Sequence, residues 1–95
     1  MSTVHHTESG SHGRFTVEEE GRLLGELTYS RAGDALVILD HTAVSPHARG
    51  TGAGRTLVDA AVAWARETGT RLMPLCPYAR SVFEKDPSIA DVWHQ

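Results

Sequence analysis

Apolar and polar positions divide the chain into a polar start, a series of short alternating segments and two amphipathic ones. Met1 to Gly13 carries Ser, Thr, Gly and three histidines. So little apolar content predicts a flexible tail over residues 1–13, ahead of a single domain over 14–95. From Arg14 to Glu20, Phe15 and Val17 share a parity, which predicts a strand turning at Glu20-Gly21. Arg22 to Ser30 predicts a second strand, with Leu23, Leu27 and Tyr29 opposite Glu26, Thr28 and Ser30. Gly25 marks a bulge or a close backbone approach within it. Ala35 to Ala43 is the central strand. Its segment Ala35 to Leu39 is apolar on both parities, the pattern of a strand covered on both faces. Polarity changes abruptly at Asp40-His41-Thr42. Unbroken alternation would put His41 on the face of Val37 and Leu39, and Asp40 on that of Leu36 and Ile38; a bulge would alter this.

Beyond Gly52 the period changes. Leu57, Ala61, Trp64 and Ala65 form an apolar stripe flanked by Val58 and Val62, which predicts a helix to Thr68 stopped by Gly69. Trp64 reads as core. Arg71 to Leu75 is a short strand. A strand, a helix and a strand in succession imply a right-handed crossover, so this strand runs parallel to 35–43. Pro77 suits a first helical position. Tyr78 to Lys85 then turns Ala79, Val82 and Phe83 inward, Asp86-Pro87 breaks the helix, and Ser88 to Trp93 forms a last turn. The fold class is α/β (α+β), with a mixed sheet built from a three-strand antiparallel meander, a βαβ crossover and a C-terminal helix.

Composition narrows the function. A chain of 95 residues with a formal net charge of −3 lacks a broad basic footprint for nucleic acid. No apolar run reaches the length of a membrane span, and the first residues lack a signal-peptide pattern. The single cysteine excludes an internal disulfide and fits a reducing compartment, so the cytoplasm is expected. His5, His6 and His12 have no cysteine or carboxylate cluster beside them, and no metal site is expected.

The candidate chemistry starts at the turn Arg49-Gly-Thr-Gly-Ala-Gly-Arg55, which joins a strand to a helix N-terminus. Unpaired helix amides, the helix dipole and missing side chains make such a turn an anion site. Arg49 and Arg55 flank it and could supply charge-assisted hydrogen bonds. A Walker A loop fails, because Arg49 stands where its first glycine belongs. The dinucleotide fingerprint fails at Arg55 and Leu57. Ligands in such sheets gather at the carboxyl ends of strands, which brings Asp40-His41-Thr42, Cys76 and the loop together. Cys76 precedes a helix start that would favour a thiolate; it reads equally as a small buried apolar residue. His41 reads as an acid-base group or as a core histidine satisfied by backbone.

The pattern that fits is Arg49-x-x-Gly52-x-Gly54 preceded by Val44-x-Pro46. It resembles the coenzyme A pyrophosphate loop of GNAT-superfamily N-acetyltransferases. From Phe15 to Trp93 the chain resembles the short, YjdJ-like branch, through this loop, Leu75-Cys76-Pro77-Tyr78-Ala79 and the Asp86-Pro87 break. The resemblance implies a minimal GNAT-like fold that holds acetyl-coenzyme A between splayed parallel strands. Thr42, Ala43 and Val44 would meet the pantetheine arm. Arg49, Gly50, Thr51, Gly52, Ala53, Gly54 and Arg55 would hold the pyrophosphate, with Tyr78 also at the cofactor. His41 and Cys76 match positions proposed as active-site residues. Longer acetyltransferases often carry a tyrosine acid four residues after the alanine matching Ala79; here Phe83 stands there, and Cys76 or Tyr78 is left as its substitute. With no helices ahead of the first strand, the acceptor side is expected to be open, for a small-molecule amine or a protein lysine, in a monomer or weak homodimer. The activity implied is acetyl transfer to an amine. The alternative is a non-catalytic acyl-coenzyme A-binding or protein-interaction module.

Overall fold

The computed structural model describes residues 2–95. The chain forms β1 (Ser2–Ser9), β2 (His12–Glu19), β3 (Arg22–Arg31) and β4 (Leu36–Val44), then a 3-10 turn (Pro46–Ala48) and α1 (Ala53–Thr68). It continues through β5 (Arg71–Pro74), α2 (Pro77–Lys85) and a second 3-10 turn (Pro87–Val92). The sheet order is β1-β2-β3-β4-β5. Its first four strands are antiparallel and β5 is parallel to β4, as the crossover argument requires.

The meander has four strands rather than three. Residues 2–9, expected within a flexible tail, pair with β2 along their whole length, from Ser2↔Glu19 to Ser9↔His12; Met1 lies outside the described residues. Low hydrophobicity hid this strand because His6 packs as an aromatic. Its ring stacks on Phe15 with centroids 4.1 Å apart and planes 10° apart. Its Nε2 lies 2.6 Å from the Tyr29 hydroxyl, and its edge meets Trp64 at 5.1 Å. Burial holds the imidazole below its ordinary pKa. Glu8, on the same face, accepts two N–H groups of Arg31 at 2.5 and 3.1 Å.

One face of the sheet carries the core. Phe15, Val17, Leu27, Tyr29, Val37, Leu39 and Leu72 are buried there with Leu57, Val58, Ala61 and Ala65 of α1 and with Ala79 and Phe83 of α2. Trp64 lies at the rim of the predicted stripe, half-buried, its ring against Tyr29 at 5.4 Å. Gly69 ends α1, donating its N–H to Ala65 O. On the opposite face Leu36, Ile38 and Met73 stay half-buried. The expectation that 35–39 is covered on both faces is therefore overturned: helices cover one face, and on the other these side chains stay half-buried among their cross-strand neighbours Ser30 and Arg71.

Two register shifts interrupt the ladders. Between β2 and β3, Leu24 drops out between Leu23↔Glu18 and Gly25↔Val17. Leu24 is consequently buried and Leu23 is exposed, the reverse of simple alternation. Gly25 is a close approach as well: a Cβ there would stand 2.9 Å from Ala43 O. The second shift, at Asp40, shapes the site.

Candidate functional site

In β4, His41 opposes Thr28 and Leu39 opposes Tyr29, so Asp40 is the extra residue of a bulge. Leu39 faces the core with Tyr29. His41, opposite Thr28, faces the open side of the sheet and is exposed. Asp40 leans the same way, its Oδ2 accepting the Ser30 hydroxyl at 2.5 Å. Thr42, opposite buried Leu27, returns to the helix side. The bulge thus overturns unbroken alternation: His41 does not share the face of Val37 and Leu39.

A parting of strands lies beside the bulge. Pairing of β4 with β5 ends at Leu39↔Pro74. The amides of Leu75 and Cys76 both donate to Leu39 O, at 3.1 Å each, and the chain then turns into α2. From Asp40 to Val44, β4 pairs with no strand but β3 among the described residues, and its other edge is without a strand partner, met only where the Thr42 amide reaches Cys76.

Cys76 stands at the apex of this gap, 5% exposed. Its thiol donates to Thr42 Oγ1 at 3.3 Å. Burial pushes the thiol pKa up, but the Thr42 hydroxyl and the backbone amides of Ala79, Tyr78 and Thr42 favour the thiolate and bring the net value below the ordinary range. The sequence placed Cys76 and His41 at one strand end, and the structure does so. It does not make them a pair, because the bulge turns them to opposite faces of β4.

At the far end of this edge the glycine loop forms a pocket of about 350 Å³. Val44 and Ala48 line it with Arg49, Gly50, Gly52, Ala53, Gly54 and Tyr78. Gly50 and Gly52 take φ of 83° and 85°, in the left-handed region that a Cβ disfavours. Thr51 turns its hydroxyl back to Ala48 O at 2.5 Å and so shapes the loop. Ala43, exposed on β4, opposes Glu26. The Tyr78 ring lies across Gly54, where a Cβ would come within 2.9 Å of Cζ and Oη; this contact sets the start of α2 against the first turn of α1. Arg49 has no ion-pair or hydrogen-bond partner through its side chain among the described residues. Arg55, expected beside it on the anion, is instead committed to Asp59 at 2.8 Å and to Asp86. Those carboxylates raise the Arg55 pKa, and the Ser88 and Arg55 hydrogen bonds hold the Asp86 carboxyl down to about 2. Sequence reasoning gave Asp86 only the role of helix stop and missed Ala48; nothing local flags either one.

A family model described as GCN5-related N-acetyl-transferase matches residues 14–92. No curated protein sequence matches. Among solved structures, a GCN5-like protein from Staphylococcus aureus is 30% identical, with a TM-score of 0.74 over 99% of this chain and 91% of its own. N-acetylglutamate synthase from Neisseria gonorrhoeae, complexed with coenzyme A and N-acetyl-glutamate, is 26% identical, with a TM-score of 0.62 over 76% of this chain but only 18% of its own. A ribosomal-protein-alanine N-acetyltransferase from Brucella melitensis, at 21% identity, shares the fold with a TM-score of 0.70 over 81% of this chain and 62% of its own.

Proposed function

The chain belongs to the family of GCN5-related N-acetyltransferases, and from that premise we propose that it moves an acetyl group from acetyl-coenzyme A to a primary amine, such as a lysine side chain. The observation that carries the reading is the edge of β4 without a strand partner from Asp40 to Val44, which runs between the Cys76 thiol and the glycine pocket. The pocket suits a diphosphate. A Cβ at Gly50 or Gly52 would meet nothing within 4 Å, so space stands over the backbone, and Arg49 has a guanidinium to spare. The backbone along 42–44 would bind the pantetheine arm, and an amide on its unpaired edge would polarise the thioester carbonyl.

In this reading His41 takes a proton from the amine on the open face. The Cys76 thiol, on the helix face, protonates the departing sulfur. Placement on opposite faces supports direct transfer over relay of the acetyl group through Cys76, since the relay would carry it away from the amine. Thermal shift tests the reading first. Coenzyme A at a hundredfold excess over its dissociation constant stabilises the fold by about 2.7 kcal/mol, and ATP at equal concentration does not. Equal shifts with ATP would reduce the loop to a generic phosphate turn. Intact mass after incubation with acetyl-coenzyme A tests the route: direct transfer leaves Cys76 unmodified, and an acetyl adduct absent from Cys76→Ser would establish the relay instead.

A further inference from the structure

The open face of the sheet holds a groove of about 550 Å³ that shares no lining residue with the glycine-loop pocket. Register builds it from two rows. Ser9, His12 and Ser30 align across β1, β2 and β3, and Thr7, Arg14, Thr28 and His41 align from β1 to β4. At about 4.8 Å per strand the second row spans about 14 Å. The groove therefore runs from the outer edge of β1 to the bulge.

Charge along it is uneven. Arg14 is occupied by Glu26 at 3.4 Å, and Glu8 by Arg31. Thr28, Thr7 and Gly13 leave the middle uncharged. Asp40 differs from both carboxylates. The bulge turns it into the groove, half-buried, with Oδ2 on the Ser30 hydroxyl. Among the described residues no cation pairs with it, and Oδ1 has no donor. A carboxylate without a counter-ion at the end of a groove, adjacent in the chain to His41, has the chemistry of an ammonium seat.

We propose that this groove is the acceptor subsite and that Asp40 is its specificity determinant, seating a primary ammonium carried on an uncharged stem. The inference rests on the acetyltransferase reading for what happens next. Asp40 accepts an N–H from the bound ammonium, and His41 removes one proton to free the nitrogen lone pair. The nitrogen then forms its bond to the acetyl carbonyl carbon as the carbon–sulfur bond breaks. The second proton passes from the nitrogen to solvent as the amide forms, the coenzyme A sulfur departs with the Cys76 proton, and exchange with water returns Cys76 to the thiol and His41 to its free base.

The test is a titration followed by backbone amide NMR, run on the protein with and without coenzyme A. Butylamine is compared with butan-1-ol, an uncharged ligand of equal length, and with a lysine-containing peptide capped at both ends. The amine and the peptide should shift Ser30, Asp40 and His41, and the alcohol should not. Asp40→Asn keeps an oxygen for the Ser30 hydroxyl, so its thermal shift with coenzyme A stays as in the parent chain, while the amine binds about tenfold more weakly. Equal binding of amine and alcohol, shifts elsewhere on the surface, or unchanged affinity in Asp40→Asn would overturn the proposal. Failure of coenzyme A to bind would count against the acetyltransferase reading alone, because the titration of the free protein still decides what Asp40 does. Response to the peptide but not to butylamine would identify a polypeptide lysine as the source of the ammonium; the reverse would identify a small molecule.

Discussion

Tyr29 lies across Gly13 at one end of the sheet, and Tyr78 lies across Gly54 at the other. A Cβ on Gly13 would stand 2.2 Å from the Tyr29 ring, and one on Gly54 would stand 2.9 Å from that of Tyr78. The motif is the same but the surroundings are opposite. Tyr29 is 1% exposed, boxed in by Phe15, Trp64 and His6. Tyr78 is 41% exposed and borders the loop pocket. At the closed end, where β1, β2 and β3 pair along their lengths, a missing side chain makes room for a ring that cannot move. At the open end, where β4 and β5 part, it makes room for a ring that can. One contact secures the fold and the other shapes a site.

Substitution of the two glycines should separate these roles most sharply. In Gly13→Ala the new methyl meets a ring held on every side, so neighbours must shift. Overpacking of that kind costs about 2–3 kcal/mol, a fall in Tm of roughly 10 °C or more for a domain this size. Melting followed by circular dichroism would show it, and a fall of under about 3 °C would mean that the aromatic cluster is softer than its contacts indicate.

Gly54→Ala should leave the fold nearly untouched. The Tyr78 ring can swing outward, and alanine in a helix is better than glycine by about 1 kcal/mol. The wall of the pocket moves, however, so affinity for coenzyme A falls about tenfold while Tm changes by only a few degrees. Calorimetric titration beside a melt measures both quantities. Unchanged affinity would remove the Gly54–Tyr78 contact from the site, and a large loss of Tm would erase the distinction between the two ends.

The open end was the more legible of the two in the sequence. The spacing of Arg49, Gly52 and Gly54 is a local constraint, written within a few residues, and the fold brings Val44, Arg49, Gly50, Gly52, Ala53, Gly54 and Tyr78 to one pocket. The closed end was harder because β1 looks polar. Its packing depends on His6 meeting Phe15 and Tyr29, a relation between strands that composition does not record. The bulge at Asp40 was illegible for the same reason, since it exists only in the register of β4 against β3. Arg55 shows both cases in one side chain. Asp59, four residues on, is a helical neighbour that can be read from spacing. Asp86 is delivered by tertiary structure, and that second carboxylate takes up a guanidinium that sequence alone leaves free for an anion.

Titration of the two phenols gives the smallest and finest comparison. The chain has only two tyrosines, so Tyr78→Phe leaves Tyr29 as the single phenol. Burial, then the Glu8 carboxylate, raises its pKa from 10.0 to about 12. Burial also raises that of Tyr78, with the Arg55 guanidinium opposing the rise. The folded state therefore favours the protonated Tyr29 phenol. Its contribution to stability is complete below about pH 10, where the unfolded phenol is still protonated, and is lost as pH climbs from about 10 through about 12. Phenolate absorbance in folded Tyr78→Phe should rise near pH 12, and Tyr29→Phe should lose less stability than the parent chain across that interval. A midpoint near pH 10 in the folded protein would mean that water reaches the Tyr29 hydroxyl. The lid that His6 and β1 form over the closed end would then open far more readily than a ladder paired along its whole length implies.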